Sequence, residues 1–167
     1  MISQRPPRTQ ILNRKSIRKK GHDYASPAYY FLTIMVNDGE RLFGKIENGK
    51  IILSEAGKII GKHWKKVPVV YPNTSLDEFV VMPDHFHAIL QIKTRVERVT
   101  VGNILKSFKS FSAQEVNVLL GRQGNRLWQR NYYDRILKTQ KDVERIRWYS
   151  RQNPAKWDSE QRLTAEI

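Results

Sequence analysis

The chain has 167 residues, no cysteine, and 30 Lys and Arg against 16 Asp and Glu, for a formal charge of +14 and a pI near 10.1. That length suits one domain with a real core, and the missing thiols exclude disulfides and thiolate metal sites. The charge points to a polyanionic partner, nucleic acid first. The longest apolar stretch, Ala28 to Val36, is interrupted by Thr33 and too short to span a bilayer. With no apolar leader visible, a cytoplasmic protein without a membrane partner is expected.

The first twenty residues carry seven positive charges and no negative one. Pro6 and Pro7 argue against a helix there, so residues 1–23 are expected to form a flexible basic arm. It offers Arg14, Lys15, Arg18, Lys19 and Lys20 to phosphates. Ala28 to Val36, rich in β-branched and aromatic residues, reads as a strand. Asn48-Gly49 then marks a hairpin between short strands. Ile59, Ile60 and Trp64 recur at helical spacing, and Pro68 should close that helix.

"SLDEFVVMP" and "HFHAILQIK" read as two strands joined by a turn at Pro83-Asp84. Ile104, Leu105, Phe108, Phe111, Val116 and Leu119 outline an amphipathic helix, open to a break near Ser112 and stopped at Gly121. "RLWQRNYYDRIL" reads as a further strand. The last helix starts at a capping box, Thr139 with Asp142. It should end near Asn153, because Pro154 disfavours helical dihedrals in the residue before it. Short turns between consecutive strands imply antiparallel pairing, and the interspersed helices an α+β domain. One domain is expected over 24–157, with 158–167 as a tail.

Two histidines, His85 and His87, flank Phe86 on one of these strands. Residues two apart on a strand share a face, about 7 Å apart. The other face, Phe86, Ala88, Leu90 and Ile92, is wholly apolar and should face the core. The histidine face should then open to solvent or a cleft, where two imidazoles can converge on one ion. The alternative is a pair of ordinary strand histidines. On the last helix, Tyr149 and Asn153 lie one turn apart on one face. Asn153 brings a hard amide oxygen suited to Mg²⁺ or Mn²⁺, and Tyr149 a phenol that can become a nucleophile. Read singly, Tyr149 is as well explained as a core aromatic and Asn153 as a helix terminus.

Taken together, "VVMPDHFHAIL" and the later "RIRWYSRQNPAKW" resemble the single-tyrosine HUH transposases, named for histidine, hydrophobic residue, histidine. More narrowly, they resemble the REP-associated tyrosine transposases, which are related to insertion-sequence transposases acting on single-stranded DNA. "NRKSIRKKGHDYASPAYYFLTI" and "RNYYDRILKTQKDVERIRWY" resemble that branch as well. The resemblance implies His85, His87 and Asn153 as ligands of Mg²⁺ or Mn²⁺, and Tyr149 as the catalytic nucleophile. It further implies a ferredoxin-like fold, with helices flanking a central antiparallel β-sheet. Arg135 departs from it, standing where the family's Tyr-Tyr-Asp-His run carries histidine.

The implied enzyme is a metal-dependent DNA endonuclease and strand transferase that cleaves near hairpins in single-stranded DNA through a 5′-phosphotyrosine. It would work as a monomer or a homodimer. Beside the basic arm, Arg130, Arg135, Arg145, Arg147 and Arg151 are candidate DNA contacts, although the helix arginines serve equally as a solvated face. Tyr132 and Tyr133 compete as nucleophiles, but neither has a ligand four residues on. The rival readings are an HUH nickase of the replication-initiator or relaxase type, a transposase-derived regulator that binds without cleaving, and a metal hydrolase with water as nucleophile.

Overall fold

A computed structural model describes residues 18–165, with side chains through residue 159. Alternating apolar residues make the central strand β1 (Ala28–Met35), whose even positions are buried. A hairpin follows, β2 (Gly44–Glu47) and β3 (Lys50–Leu53). Its turn residues Asn48 and Gly49 both take positive φ, as the sequence signal requires. Helix α1 (Glu55–Lys65) starts at Ser54, whose hydroxyl accepts from the Gly57 N–H. Pro68 does not lead straight out of the helix. It sits in the first turn of a short helix, α2 (Val67–Val70), where its missing N–H costs nothing.

Strands β4 (Thr74–Val81) and β5 (His85–Ile92) come next, then α3 (Val101–Leu119), β6 (Tyr133–Leu137) and α4 (Gln140–Ala165). Helix α3 runs unbroken through Ser112, whose hydroxyl donates to the Phe108 carbonyl and accepts from the Trp128 indole N–H. The strand expected over "RLWQRNYYDRIL" is confined to its last residues, with Trp128 making one isolated bridge to Val36.

The main sheet is antiparallel in the order β4-β5-β1-β6. With the β2–β3 hairpin set aside, the chain runs βαββαβ into a four-stranded sheet, the ferredoxin-like arrangement. One face carries Tyr30, Leu32, Ile34, Phe86, Ala88 and Leu90 into the larger core with α1 and α3, where Trp64 and Phe108 interlock with Phe86. The other face packs Ile89 and Leu137 under Val143 and Ile146 of α4. Both faces are therefore covered, and the histidine face is not open as expected: His85 and His87 are 7 % and 6 % exposed.

Helix α4 begins at the expected capping box, with the Asp142 N–H donating to the Thr139 hydroxyl and the Thr139 N–H to the Asp142 carboxylate. It does not stop at Asn153. It passes through Pro154, and residues 158–165, expected as a tail, continue it. A proline there removes one backbone hydrogen bond and crowds the preceding turn, so tertiary contacts must hold the helix on both sides. Upstream, β4 bulges between Leu76 and Phe79, setting Asp77 and Glu78 opposite one residue of β5. Arg147 grips Asp77 with two hydrogen bonds, 2.8 and 2.6 Å, and Arg151 pairs with Glu78. Downstream, the Gly49 N–H donates to the Asp158 carboxylate (3.0 Å), and Ala155 packs against Gly49.

Arg147 holds the Asp77 carboxyl below the ordinary carboxylate range. Asp77 thus stays ionised at lower pH in the folded chain than in the unfolded one. Its contribution is whole above the ordinary carboxylate range and is lost as pH falls through and below it. Asp77→Asn should cost about 1–3 kcal/mol at neutral pH and flatten the acid side of the stability profile. Urea unfolding at pH 7 and pH 4, wild type beside variant, measures both.

Candidate active site

The site is built where α4 crosses β5. The buried stripe of α4 runs Val143, Ile146, Ser150, Asn153 and Pro154. It is apolar over Ile89 and Leu137 and turns polar toward the end of β5 that carries the histidines. The two imidazole centroids lie 4.5 Å apart. His87 meets the Tyr149 ring edge-on at 5.9 Å, and His85 meets the Trp157 ring at 5.5 Å. Tyr149, Asn153 and Trp157 follow each other at four-residue steps on one helix face. Asn153 is therefore bracketed between the two residues that touch the histidine pair.

Each imidazole is oriented by a hydrogen bond at Nδ1. His85 is 2.6 Å from an Asp84 carboxylate oxygen, and His87 is 2.8 Å from the Thr33 hydroxyl. Both Nε2 atoms are left for another partner, the usual arrangement around a metal-ligating histidine. Burial, reinforced by His85, pushes His87 down to about 3, so it stays neutral and keeps its lone pair at physiological pH. Asn153 is 7 % exposed, and its side-chain nitrogen is buried without a hydrogen-bond partner. Its amide oxygen is the atom that could ligate a cation. Two imidazoles and an amide oxygen fit a divalent ion of the harder or borderline kind. Among the described residues no cluster of three or more His, Cys, Asp or Glu side chains offers an alternative metal site.

Tyr149 is half-buried and lines a cleft of about 430 Å³ with Phe31, Thr33, His87, Tyr133, Arg135 and Ile146 among its walls. His85 and Asn153 are not part of that wall. Tyr133, 60 % exposed, shares the cleft, whereas Tyr132, the residue before β6, is buried and outside it. Residue 137, four on from Tyr133, is an apolar leucine.

The expected DNA contacts divide. Arg14 and Lys15 lie outside the described residues. Arg18 is packed over the rings of Tyr24 and Tyr132. Lys19 and Lys20 are exposed, and the Lys19 N–H donates to the Tyr24 hydroxyl. Arg130 and Arg135 are exposed beside β6. Arg145, Arg147 and Arg151 instead pair with Asp142, Asp77 and Glu78, the last two fastening the helix. Trp157 escaped notice because it lies beyond Pro154, where the helix was expected to have ended. Its other neighbour is the Arg41 guanidinium, 5.6 Å from the ring centre.

No helix among the described residues is long and apolar enough to cross a membrane. The family model for IS200-like transposases matches residues 58–153, which include both histidines, Tyr149 and Asn153. An uncharacterized protein of Haemophilus influenzae is 31% identical over 174 residues, covering 90% of this chain and 93% of its own. Among solved structures, a REP-associated tyrosine transposase bound to a REP hairpin matches with TM-score 0.60 at 17% identity, over 83% of this chain and 73% of that one. A candidate transposase of Deinococcus radiodurans matches with TM-score 0.51 at 16% identity, over 81% and 98%. These two likenesses bear on the fold, which they share. Through the family model and the relative in Haemophilus influenzae, this chain belongs to the IS200-like transposase family.

Proposed function

We propose that the protein is a metal-dependent single-stranded DNA endonuclease and strand transferase that uses Tyr149 as its nucleophile. The observation that carries this reading is the placement of the buried Asn153 between Tyr149 and Trp157, the two residues whose rings meet His87 and His85. His85, His87 and Asn153 would hold the ion, Mg²⁺ or Mn²⁺. Bound there, it would supply Lewis-acid polarisation of a phosphate oxygen.

The chain's own part is positional. Phe31 and His87 pack against the Tyr149 ring and fix the direction of its hydroxyl into the cleft. The Tyr149 oxygen forms a bond to phosphorus while the bond to the 3′ oxygen breaks. The phenolic proton is lost to solvent, and the departing 3′ oxygen gains one. A 5′-phosphotyrosine and a free 3′-OH result, and reversal with another 3′-OH joins strands. Arg135, exposed on the cleft wall, is placed to meet a backbone phosphate. A scissile phosphate inside a duplex is hard to align with a tyrosine on a helix, which favours single-stranded DNA. The solved relative was captured with a REP hairpin, and a hairpin with single-stranded flanks is the proposed substrate class here. Monomers and homodimers are both compatible with this chemistry.

A denaturing gel of end-labelled, hairpin-containing single-stranded DNA with Mg²⁺ or Mn²⁺ tests the nucleophile. Wild type and Tyr133→Phe should form a covalent, metal-dependent adduct, and Tyr149→Phe none. An adduct that survives in Tyr149→Phe would overturn the assignment, and cleavage without any adduct would favour water as nucleophile. Asn153→Ala, which leaves both imidazoles in place, should weaken metal affinity by at least roughly 10- to 100-fold, read as a rise in the Mn²⁺ concentration at half-maximal adduct.

A further inference from the structure

Strand β6 is an edge strand, and its first residues Tyr133, Asp134 and Arg135 line the Tyr149 cleft. Tyr132, the residue before β6, lines a second cleft of about 400 Å³ against the first turns of α3. That volume lies in the range of sites that take a single small ligand, roughly 300–1,000 Å³. Arg18, Lys106, Lys109 and Arg130 converge on it from three separate parts of the chain. None of the ion pairs among the described residues includes Lys106, Lys109 or Arg130. On α4, by contrast, all three candidate arginines are neutralised by carboxylates.

The cleft is shaped as well as charged. The Arg18 guanidinium lies over the Tyr132 ring at 5.2 Å and packs against Gly102, where a side-chain β-carbon would stand 3.0 Å from it and push it slightly aside. The Lys109 ammonium is steered by the Gln129 and Arg130 carbonyls, at 2.6 and 3.1 Å. Burial, with Arg126 adding to it, holds Lys109 below the ordinary amine range, a cost that an anion in the cleft would relieve. Thr100 and Asn103, at the start of α3, add polar groups to the wall. Asp134, two residues along β6 from Tyr132, does not oppose this charge from the cleft wall, and its carboxylate accepts from the Tyr24 hydroxyl.

We infer that this cleft is a second DNA-binding site, which holds the phosphate backbone of the single strand as it passes around the β6 edge toward the Tyr149 cleft. Phosphate is the recognised chemistry, and Lys106, Lys109 and Arg130 are its donors. Tyr132 and Tyr133 are chain neighbours that line the one cleft and the other, so a strand joining the clefts turns within a short distance, which unpaired DNA does more readily than stiff duplex. The inference rests on the reading of the substrate as single-stranded DNA, but not on the chemistry of Tyr149.

The test is fluorescence anisotropy of labelled dT20 with the full chain in EDTA, where metal-dependent cleavage is silent, across a salt series. Lys106→Gln/Arg130→Gln alters two exposed side chains, and circular dichroism checks its folding. Lys45→Gln/Lys58→Gln removes the same charge from distant surface pairs. The cleft variant should bind at least about tenfold more weakly, with its log–log salt slope shallower by about 1.4, at roughly 0.7 per phosphate contact. The distant variant should keep the wild-type slope. Equal losses in both variants would reduce the cleft to diffuse positive charge and overturn the inference. So would dT20 binding untouched by the cleft variant while inorganic phosphate or dTMP still binds there, the mark of a free-anion site. A cleft-specific loss in a protein that never forms a covalent adduct would leave this inference standing and remove only the Tyr149 mechanism.

Discussion

The Arg147–Asp77 ion pair is the contact on which the candidate site depends. Every ligand proposed from α4 lies C-terminal to it, and Tyr149 is only two residues away. The helix carries a proline in mid-run and few apolar residues past Ile146, so it cannot be held there by hydrophobic burial alone. The β4 bulge answers this by turning two consecutive carboxylates toward two arginines one helical turn apart. The pair is half-shielded from water, with Arg147 hydrogen-bonded in two places, so it fixes helix register as well as attraction. On the far side of Pro154, the hairpin tip at Gly49 fastens the helix again through Asp158. Between these two anchors lie Asn153 and its contacts with the buried face of the sheet.

That arrangement divides the positive charge into two kinds. Some arginines are structural: Arg147 and Arg151 are committed to carboxylates and hold the helix. Other cations, Lys106, Lys109 and Arg130 among them, belong to no ion pair among the described residues and line the second cleft. A cleft lined by one sign of charge focuses the attraction that a net charge of +14 exerts on a polyanion.

Much of the fold was legible because local and tertiary preferences agree. The alternation in β1, the Asn48-Gly49 turn, the Ser54 and Thr139 starts and the apolar stripe of α3 each specify their element locally. The misreadings fall where tertiary contacts override a local rule. Pro154 should have ended α4, but ion pairs before it and the hairpin after it hold the helix together. The histidine face looked open because its own strand offers two histidines and Gln91 there, with Ile89 the one apolar residue, while the cover comes from a helix more than fifty residues later. Residue types at the site were legible from spacing. What spacing could not convey was burial, and burial leaves His87 neutral and the Asn153 side-chain nitrogen without a partner. Lys106 and Lys109 were missed because their helix reads as a core element, and only the fold shows that its first turns border a cleft with Arg18, Arg130 and Tyr132.

The central claim concerns which tyrosine makes the covalent bond, and trypsin separates the contenders. Cleavage after Arg147 and Arg151 releases residues 148–151, whose one tyrosine is Tyr149; cleavage after Arg130 and Arg135 releases residues 131–135, with Tyr132 and Tyr133. Mass spectrometry of a nuclease-trimmed adduct is therefore the most direct measurement. The account expects the nucleotide mass on residues 148–151, fragmenting to Tyr149. The same mass on residues 131–135 would contradict it, because Asn153, the ligand proposed on α4, would then lie one turn from the wrong tyrosine.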